Sequence, residues 1–174
     1  TWGTRLADRL LLPGLLGFTR WGFYRGHRRW PLAPQSLVGR RVVLTGGTGG
    51  IGRAAAEQLL DAGADLTLVG RDPDKTNLVG RRLGGRVDVE IADLSRLAAV
   101  RDLAQRLQDR YDRIHVLVNN AGGLFNRREE TPEGFERTLA TDLLSPYLLT
   151  RLLLPVLKAT SAARVVNVSS GGMY

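Results

Sequence analysis

The sequence predicts an α/β protein built on a doubly wound parallel sheet. Three observations predict it: short β-branched runs alternate with longer helical patterns from Arg41 onward, a glycine-rich turn follows the first run, and the alternation continues to a fifth run near the end of the chain. Such alternation is typical of βαβ units, whose helices cover both faces of a parallel sheet. We expect one domain over residues 37–174, truncated after its fifth strand, and a separate arm over residues 1–36.

Each element has its own signal. Apolar, β-branched runs predict five strands, at 41–45, 64–70, 86–92, 114–120 and 164–170. Apolar residues at helical spacing predict four helices, at 50–63, 73–83, 95–111 and roughly 131–158. Gly63 ends the first helix, Asp72 and Pro73 begin the second, and Ser95 is the expected N-cap of the third. Pro146 is expected to bend the fourth helix.

The composition argues against several classes of protein. A chain of 174 residues can bury the core of one domain. The absence of cysteine excludes a disulfide framework and a thiol nucleophile, and two histidines far apart make a metal site a poor prediction. The net charge of +8 suits nucleic acid, but beyond the arm the basic residues lie beside acids, as in VRDLAQRLQDRYDR. We therefore do not expect a nucleic-acid partner.

The arm over residues 1–36 is rich in aromatic residues and arginine. Its apolar stretch Leu10–Phe18 is too short for a membrane span, and no cleavage site typical of a signal peptide follows it. Two interpretations stay open: packing on the domain or on a partner subunit of a homo-oligomer, and peripheral contact with an anionic membrane. We expect a cytoplasmic protein, with membrane association left open.

The turn TGGTGGIG lies between the first strand and the first helix, where Rossmann-type sheets bind a nucleotide. Gly46 would permit the tight turn, Gly50 the approach of a pyrophosphate and Gly52 the contact of helix with strand. We predict dinucleotide binding, with a purely structural turn as the alternative. The predicted binding residues of this turn are Thr45, Gly46, Thr48, Gly49, Gly50, Ile51 and Gly52.

Three further motifs follow in order: ADLS at 92–95, NNAG at 119–122 and VNVSS at 166–170. Together with the glycine turn they resemble the short-chain dehydrogenase/reductase family, and NRREETPEGFE resembles its retinol-dehydrogenase-like branch. The resemblance implies hydride transfer between a nicotinamide cofactor and a small carbonyl or alcohol substrate. It also implies that Asp93 and Leu94 belong to the adenine pocket, and that Asn120, Ala121 and Gly122 shape the rest of the cofactor pocket.

The end of the second strand predicts which nicotinamide cofactor binds. Gly70 stands where an acid would bind the ribose 2′-hydroxyl of NAD, and Arg71 follows it with a planar cation suited to the 2′-phosphate of NADP. This pattern favours NADP over NAD. The alternative is that Arg71 pairs with Asp72 or Asp74 on the surface.

The resemblance also implies the catalytic groups. Ser170 aligns with the family's catalytic serine; the alternative is a hydroxyl that satisfies backbone groups at a strand end. The family's Tyr-x-x-x-Lys pair has no counterpart, because Tyr174 follows Ser170 too closely and no lysine comes after it. We therefore expect an N-terminal fragment that is inactive by itself.

A second departure from the family lies inside the chain. Asp142 stands where the family carries the asparagine of its proton relay, and Ser145 stands at the family's glycine. An aspartate accepts hydrogen bonds but donates one only when protonated, so the relay is in doubt. The alternative function is a non-catalytic dinucleotide-binding redox sensor or scaffold.

Overall fold

The computed structural model describes residues 36–169. The predicted arm, apart from Ser36, and the predicted catalytic residue Ser170 lie outside the described residues. The chain divides after Gln35, and the unit that begins at Ser36 centres on a parallel sheet of five strands. The strands are β1 (Arg41–Thr45), β2 (Asp65–Gly70), β3 (Val87–Ile91), β4 (Val116–Asn119) and β5 (Arg164–Asn167).

The strand order, β3-β2-β1-β4-β5, confirms the predicted doubly wound fold. β1 is the central strand: Val43 pairs with Thr67 of β2 on one side and with Leu117 of β4 on the other. The chain therefore winds outward from β1 in one direction and then returns to wind in the other. Such a reversal leaves a crevice at the carboxyl ends of β1 and β4, which is where open parallel sheets bind ligands.

Four helices connect the strands. They are α1 (Gly50–Asp61), α2 (Pro73–Leu83), α3 (Leu97–Arg110) and α4 (Arg137–Lys158). The beginning of α2 follows the sequence signal, because the Asp72 carboxylate accepts the Lys75 N–H at 2.9 Å and Pro73 occupies the first turn. This cap fixes where α2 starts relative to the end of β2.

Two predicted helix starts are wrong. α3 begins at Leu97 with Arg96 at its N-cap, while the Ser95 hydroxyl donates to Asp93 Oδ1 at 2.8 Å. The last helix begins at Arg137 rather than near 131, because Gly134, with φ of 82°, turns the chain just before it. In the first case the Ser95 hydroxyl bonds the nearby Asp93 carboxylate instead of capping the helix. In the second case the left-handed backbone of Gly134 makes the helix begin later in the chain.

Helix α4 is irregular near its start. After one α-helical turn it passes through a π-helical segment, Ala140–Leu144, where the Ser145 N–H donates to the Ala140 carbonyl, and Pro146 follows directly. By length and hydropathy α4 could cross a bilayer. Leu149, Leu153 and Leu157 are buried along one stripe with residues of α3 and the sheet, which is the pattern of an amphipathic helix that packs by one face.

The core has two layers, one on each face of the sheet. Val43 and Val69 lie in the layer that includes α3 and α4, whereas Val42, Leu44 and Leu68 lie in the layer that includes α1 and α2. Neighbouring strand residues enter opposite layers because side chains alternate across a strand. Both faces are covered at β1 and β2, as parallel sheets require, whereas all four residues of the edge strand β5 are exposed.

Candidate functional site

A cavity of about 490 Å³ opens at the carboxyl edge of the sheet. Its walls come from the glycine turn after β1, the end of β2, the loop after β3 and the loop after β4. Eight predicted binding residues line it: Gly46, Thr48, Gly49, Arg71, Asp93, Leu94, Ala121 and Gly122. Residues of three sequence motifs, together with Arg71, therefore meet in one place.

The other predicted binding residues do not line this cavity. Ile51 points to solvent with 75% of its surface exposed, and Thr45 is 2% exposed. Gly50 and Gly52 lie in the first turn of α1, and Asn120 lies beneath the glycine turn. Of these five, Thr45, Gly52 and Asn120 hold the turn in shape.

Thr45 and Asn120 fasten the carboxyl end of β1 to that of β4. The Thr45 hydroxyl accepts the backbone N–H groups of Asn120 and Ala121, both at 3.0 Å. In return the Asn120 amide donates to the carbonyls of Thr45, at 3.1 Å, and Gly46, at 3.2 Å. These reciprocal bonds satisfy backbone groups that two parallel strands would otherwise leave unpaired where they end. They also fix the glycine turn against the NNAG loop.

The glycine turn is packed too closely for side chains at two positions. Gly46 has a φ of 70°, and a Cβ there would lie 2.7 Å from Ala121 Cα. A Cβ on Gly52 would collide with the Gly46 carbonyl oxygen and the Asn120 amide. Glycine is therefore required at both positions, because the first helical turn lies directly against the end of β1.

The N-terminus of α1 suits an anion. Its N-cap, Gly49, has an extended backbone and no side chain, so no side-chain cap bonds the first N–H groups. No acid occupies the first turn either. Free N–H groups and the positive end of the helix dipole thus adjoin the cavity wall formed by Thr48 and Gly49.

The end of β2 has no room for an acidic side chain. A Cβ on Gly70 would collide with Thr76 Oγ1 and lie 2.9 Å from Thr48 Cγ2. Arg71 is exposed and lines the cavity, and among residues 36–169 no ion pair joins it to Asp72 or Asp74. The alternative surface pair is therefore not seen in this part of the chain.

Two carboxylates are bonded next to the cavity, and of these Asp93 lines it whereas Asp142 does not. Asp93 is held by Ser95, whose N–H and hydroxyl both bond Asp93 Oδ1, at 3.0 and 2.8 Å. Asp142, in the π-helical part of α4, accepts the Gly123 N–H at 3.0 Å. Asp142 thus ties the NNAG loop to α4, while its part in a proton relay stays a prediction.

The loop between β4 and α4 is anchored by two other carboxylates. Glu133 accepts the Ala98 N–H at 3.1 Å, and this bond is the main reason why the pKa of Glu133 lies below its ordinary value. Glu136 accepts the N–H groups of Thr138 and Leu139, which lower its pKa in the same way. Both bonds favour the charged carboxylate, so the loop stays anchored at neutral pH.

The sequence missed several residues that line the cavity: Lys75, Ser95, Phe125, Arg137 and Thr141. Lys75 could have been found, because it lies in the first turn of α2, whose start just after Arg71 was predicted. Phe125 could not, since its loop has no periodicity. Its ring lies 4.2 Å from the Arg137 guanidinium, which also pairs with Glu129.

Comparisons with known proteins agree with this geometry. The family model described as short chain dehydrogenase matches residues 40–173. A Streptomyces sp. (strain C5) protein, named as a candidate daunorubicin C-13 ketoreductase, is 50% identical over 121 residues, 67% of this chain and 42% of the relative. Polyprenol dehydrogenase of Mus musculus is 39% identical over 159 residues, 86% of this chain and 47% of the relative. The Bos taurus dehydrogenase/reductase SDR family member 12 is 36% identical over 169 residues, 92% of this chain and 52% of the relative.

A solved structure shows the same architecture. The complex of Pseudomonas aeruginosa RhlG with NADP superposes with a TM-score of 0.70 at 36% identity, covering 80% of this chain and 58% of that one. The chain spans about half the length of the curated relatives it matches. The names above describe the relatives. The similarity of sequence and fold is the basis for proposing what this cavity binds.

Proposed function

This chain belongs to the short-chain dehydrogenase family, and on that premise we propose that the protein is an NADP-preferring oxidoreductase acting on a carbonyl or alcohol substrate. The reaction requires a hydride donor or acceptor, which is the chemistry that a nicotinamide supplies when bound. The residues around the cavity would bind that cofactor and orient it.

The observation that carries the proposal is the glycine turn. Gly46 and Gly52 lie where any side chain would collide with backbone or with Asn120, so the helix N-terminus is brought close to the cavity. The free N–H groups of the first turn of α1 form a cradle of the right charge for a diphosphate. The site therefore fits a dinucleotide on its backbone geometry.

Two observations support NADP over NAD. The collision at Gly70 leaves no room for the acid that would bind a ribose 2′-hydroxyl. Arg71 lines the cavity beside it without an ion-pair partner among the described residues, so its guanidinium is available to a phosphate. The RhlG complex contains the same cofactor.

The remaining walls suit the two ends of such a cofactor. Asp93, held by Ser95, would lie at the adenine, and Ala121 and Gly122 would lie along the nicotinamide half. Ser170, outside the described residues, would donate a hydrogen bond to the substrate oxygen as its charge changes. We propose an apolar carbonyl or alcohol as substrate, on the support of the relative named for polyprenol.

Asp142 favours a second candidate, a dinucleotide-binding redox sensor or scaffold. Its carboxylate is already bonded to the Gly123 N–H, and as an anion it cannot donate a proton in a relay. Both candidate functions would use the same cofactor site, but only the oxidoreductase would turn over a substrate.

One experiment separates these possibilities. NADPH binding to the intact protein is measured by calorimetry, and NADPH oxidation is then followed by absorbance with a series of ketones and aldehydes of increasing apolar length. Saturable binding with turnover supports the oxidoreductase. Binding without turnover on any member of the series would favour the sensor, and no binding would refute both.

A further inference from the structure

We propose that Lys75 is a second phosphate-binding cation of the cofactor site, and that it shares with Arg71 the recognition of the 2′-phosphate of NADP. The inference rests on the proposed function. It names a specificity residue that neither the glycine motif nor the residue after β2 had indicated.

The start of α2 places the two cations side by side along the cavity. The Asp72 carboxylate accepts the Lys75 N–H at 2.9 Å, and the Thr76 hydroxyl donates to the Asp72 carbonyl at 2.5 Å. These two bonds fix the first turn of α2 against the end of β2. Arg71 and Lys75, four residues apart, consequently line the same cavity.

The Lys75 side chain reaches the glycine turn. Its Nζ lies 3.8 Å from the position that a Cβ on Gly49 would occupy. Gly49 also lines the cavity and has no side chain, so the space in front of Lys75 is left open. Arg71 thus contributes charge at the end of β2, and Lys75 contributes it at the glycine turn.

Both cations are available to a ligand. Among residues 36–169, no carboxylate lies within ion-pair distance of Arg71 or Lys75. Two acids do line the cavity, but Asp72 is bonded to the start of α2 and Asp93 is bonded to Ser95. Among the described residues neither carboxylate forms an ion pair with Arg71 or Lys75, which leaves both head groups free to contact an anion.

A phosphate monoester is the ligand that this charge fits. Such a group carries about −1.5 to −2 charges at neutral pH, more than one guanidinium can balance. The closed space at Gly70 means that discrimination against NAD must come from attraction to the phosphate. The Lys75 ammonium, on a flexible side chain, and the planar Arg71 guanidinium would attract the phosphate from two directions.

The test compares NADPH and NADH affinities of the intact protein and four variants by fluorescence titration at low salt. Lys75→Gln should weaken NADPH about tenfold, the size expected for one charged hydrogen bond, and leave NADH within about twofold. Lys75→Arg should retain NADPH affinity, because it keeps the charge. Added salt should reduce the NADPH advantage more in the wild type than in Lys75→Gln.

Two variants serve as references. Lys158→Gln removes the only other lysine, exposed at the far end of α4, and should leave both affinities unchanged. Arg71→Ala tests the proposed function itself. If Arg71→Ala lowers NADPH affinity while Lys75→Gln lowers neither or both affinities equally, the inference about Lys75 is overturned and the proposed function stands. If the wild type binds no NADPH, both are overturned.

Discussion

The cations at the two edges of the sheet are used differently. At the amino edge, Arg41 Nη1 lies 3.2 Å from Asp88 Oδ2, and Arg110 Nη2 lies 3.2 Å from the other oxygen of the same carboxylate. At the carboxyl edge, Arg71 and Lys75 have no such partner among the described residues. Arg41 and Arg110 are thus paired with a carboxylate of the fold, while Arg71 and Lys75 are left free to contact a ligand.

Polar side chains differ between the edges in the same way. At the amino side Tyr111 is buried, and its hydroxyl donates to Asp88 Oδ2 at 2.7 Å and accepts from Thr67 at 3.1 Å. At the carboxyl edge the comparable bonds of Thr45 and Asn120 are made to backbone. The comparison teaches that the Tyr111 bonds join side chains within the fold, whereas the Thr45 and Asn120 bonds join backbone groups and thereby shape the cavity.

The largest expected effect is at the carboxyl edge. Gly52→Ala should weaken NADPH and NADH alike by about 100-fold, because its Cβ would push the helix N-terminus away from the glycine turn. Calorimetry measures both affinities. Gly84→Ala is the matched control at the amino edge: its φ of 63° strains alanine, but the space is open. It should cost about 1 to 3 kcal/mol of stability, because this φ together with a ψ of −165° is a conformation that glycine alone normally adopts, and should leave both affinities unchanged.

The next effect distinguishes the two cofactors. Arg71→Ala should weaken NADPH by about ten- to 100-fold and NADH by much less, since only NADPH carries the 2′-phosphate that the guanidinium would bind. Competition titrations with the two cofactors measure the ratio. An equal loss of affinity for both cofactors would show that Arg71 does not bind the 2′-phosphate.

At the amino edge the expected effect is on stability alone. Tyr111→Phe should lower the free energy of unfolding by about 1 to 2 kcal/mol, because the buried Thr67 hydroxyl loses its acceptor and Asp88 a donor. Adding Thr67→Val removes the orphaned hydroxyl and should recover part of that loss. Urea unfolding measures both steps. A change in NADPH affinity in either variant would contradict the separation of the two edges.

The smallest effect concerns pH. Burial lowers the pKa of His115 below its ordinary 6.5, nearby Arg40, Arg113 and Arg41 act in the same direction, and Asp65 opposes them. The neutral ring accepts the Arg41 N–H at Nδ1, at 3.0 Å. The unfolded chain therefore binds the proton more readily, so this group costs stability as pH falls below about 6.5.

His115→Asn tests this pH dependence. Its amide oxygen can accept the same N–H without titrating, so the unfolding midpoint of the variant should fall less steeply than that of the wild type between about pH 7 and pH 5. Urea unfolding at successive pH values measures the two slopes. Equal slopes of the unfolding midpoint against pH would mean that His115 does not contribute to the pH dependence of stability.

Much of the fold could be predicted because its signals are local. Five β-branched runs, a glycine turn and the Asp72–Pro73 pair each specify an element without reference to distant residues. The errors lie where one local signal competes with another. Ser95 bonds Asp93 instead of capping α3, and the turn at Gly134 delays α4.

In the candidate site, the motif residues could be predicted, but contacts between separate segments could not. Motif residues such as Gly46, Asp93 and Ala121 were predicted to share a pocket and do line one cavity. The sequence could not show that Thr76 and Thr48 close the space at Gly70, since that contact joins three separate segments. Nor could it show that Asp142 bonds Gly123, because nothing in the pattern pairs α4 with the loop after β4.

The decisive measurement is a calorimetric titration of the intact protein with NADPH, repeated on Gly52→Ala. We expect one saturable site in the wild type and an affinity about 100-fold lower in the variant, because the cradle of N–H groups at α1 holds the diphosphate. A wild type that releases no heat and gains no thermal stability with NADPH, or a variant that binds as tightly as the wild type, would show that the glycine turn is not a nucleotide site.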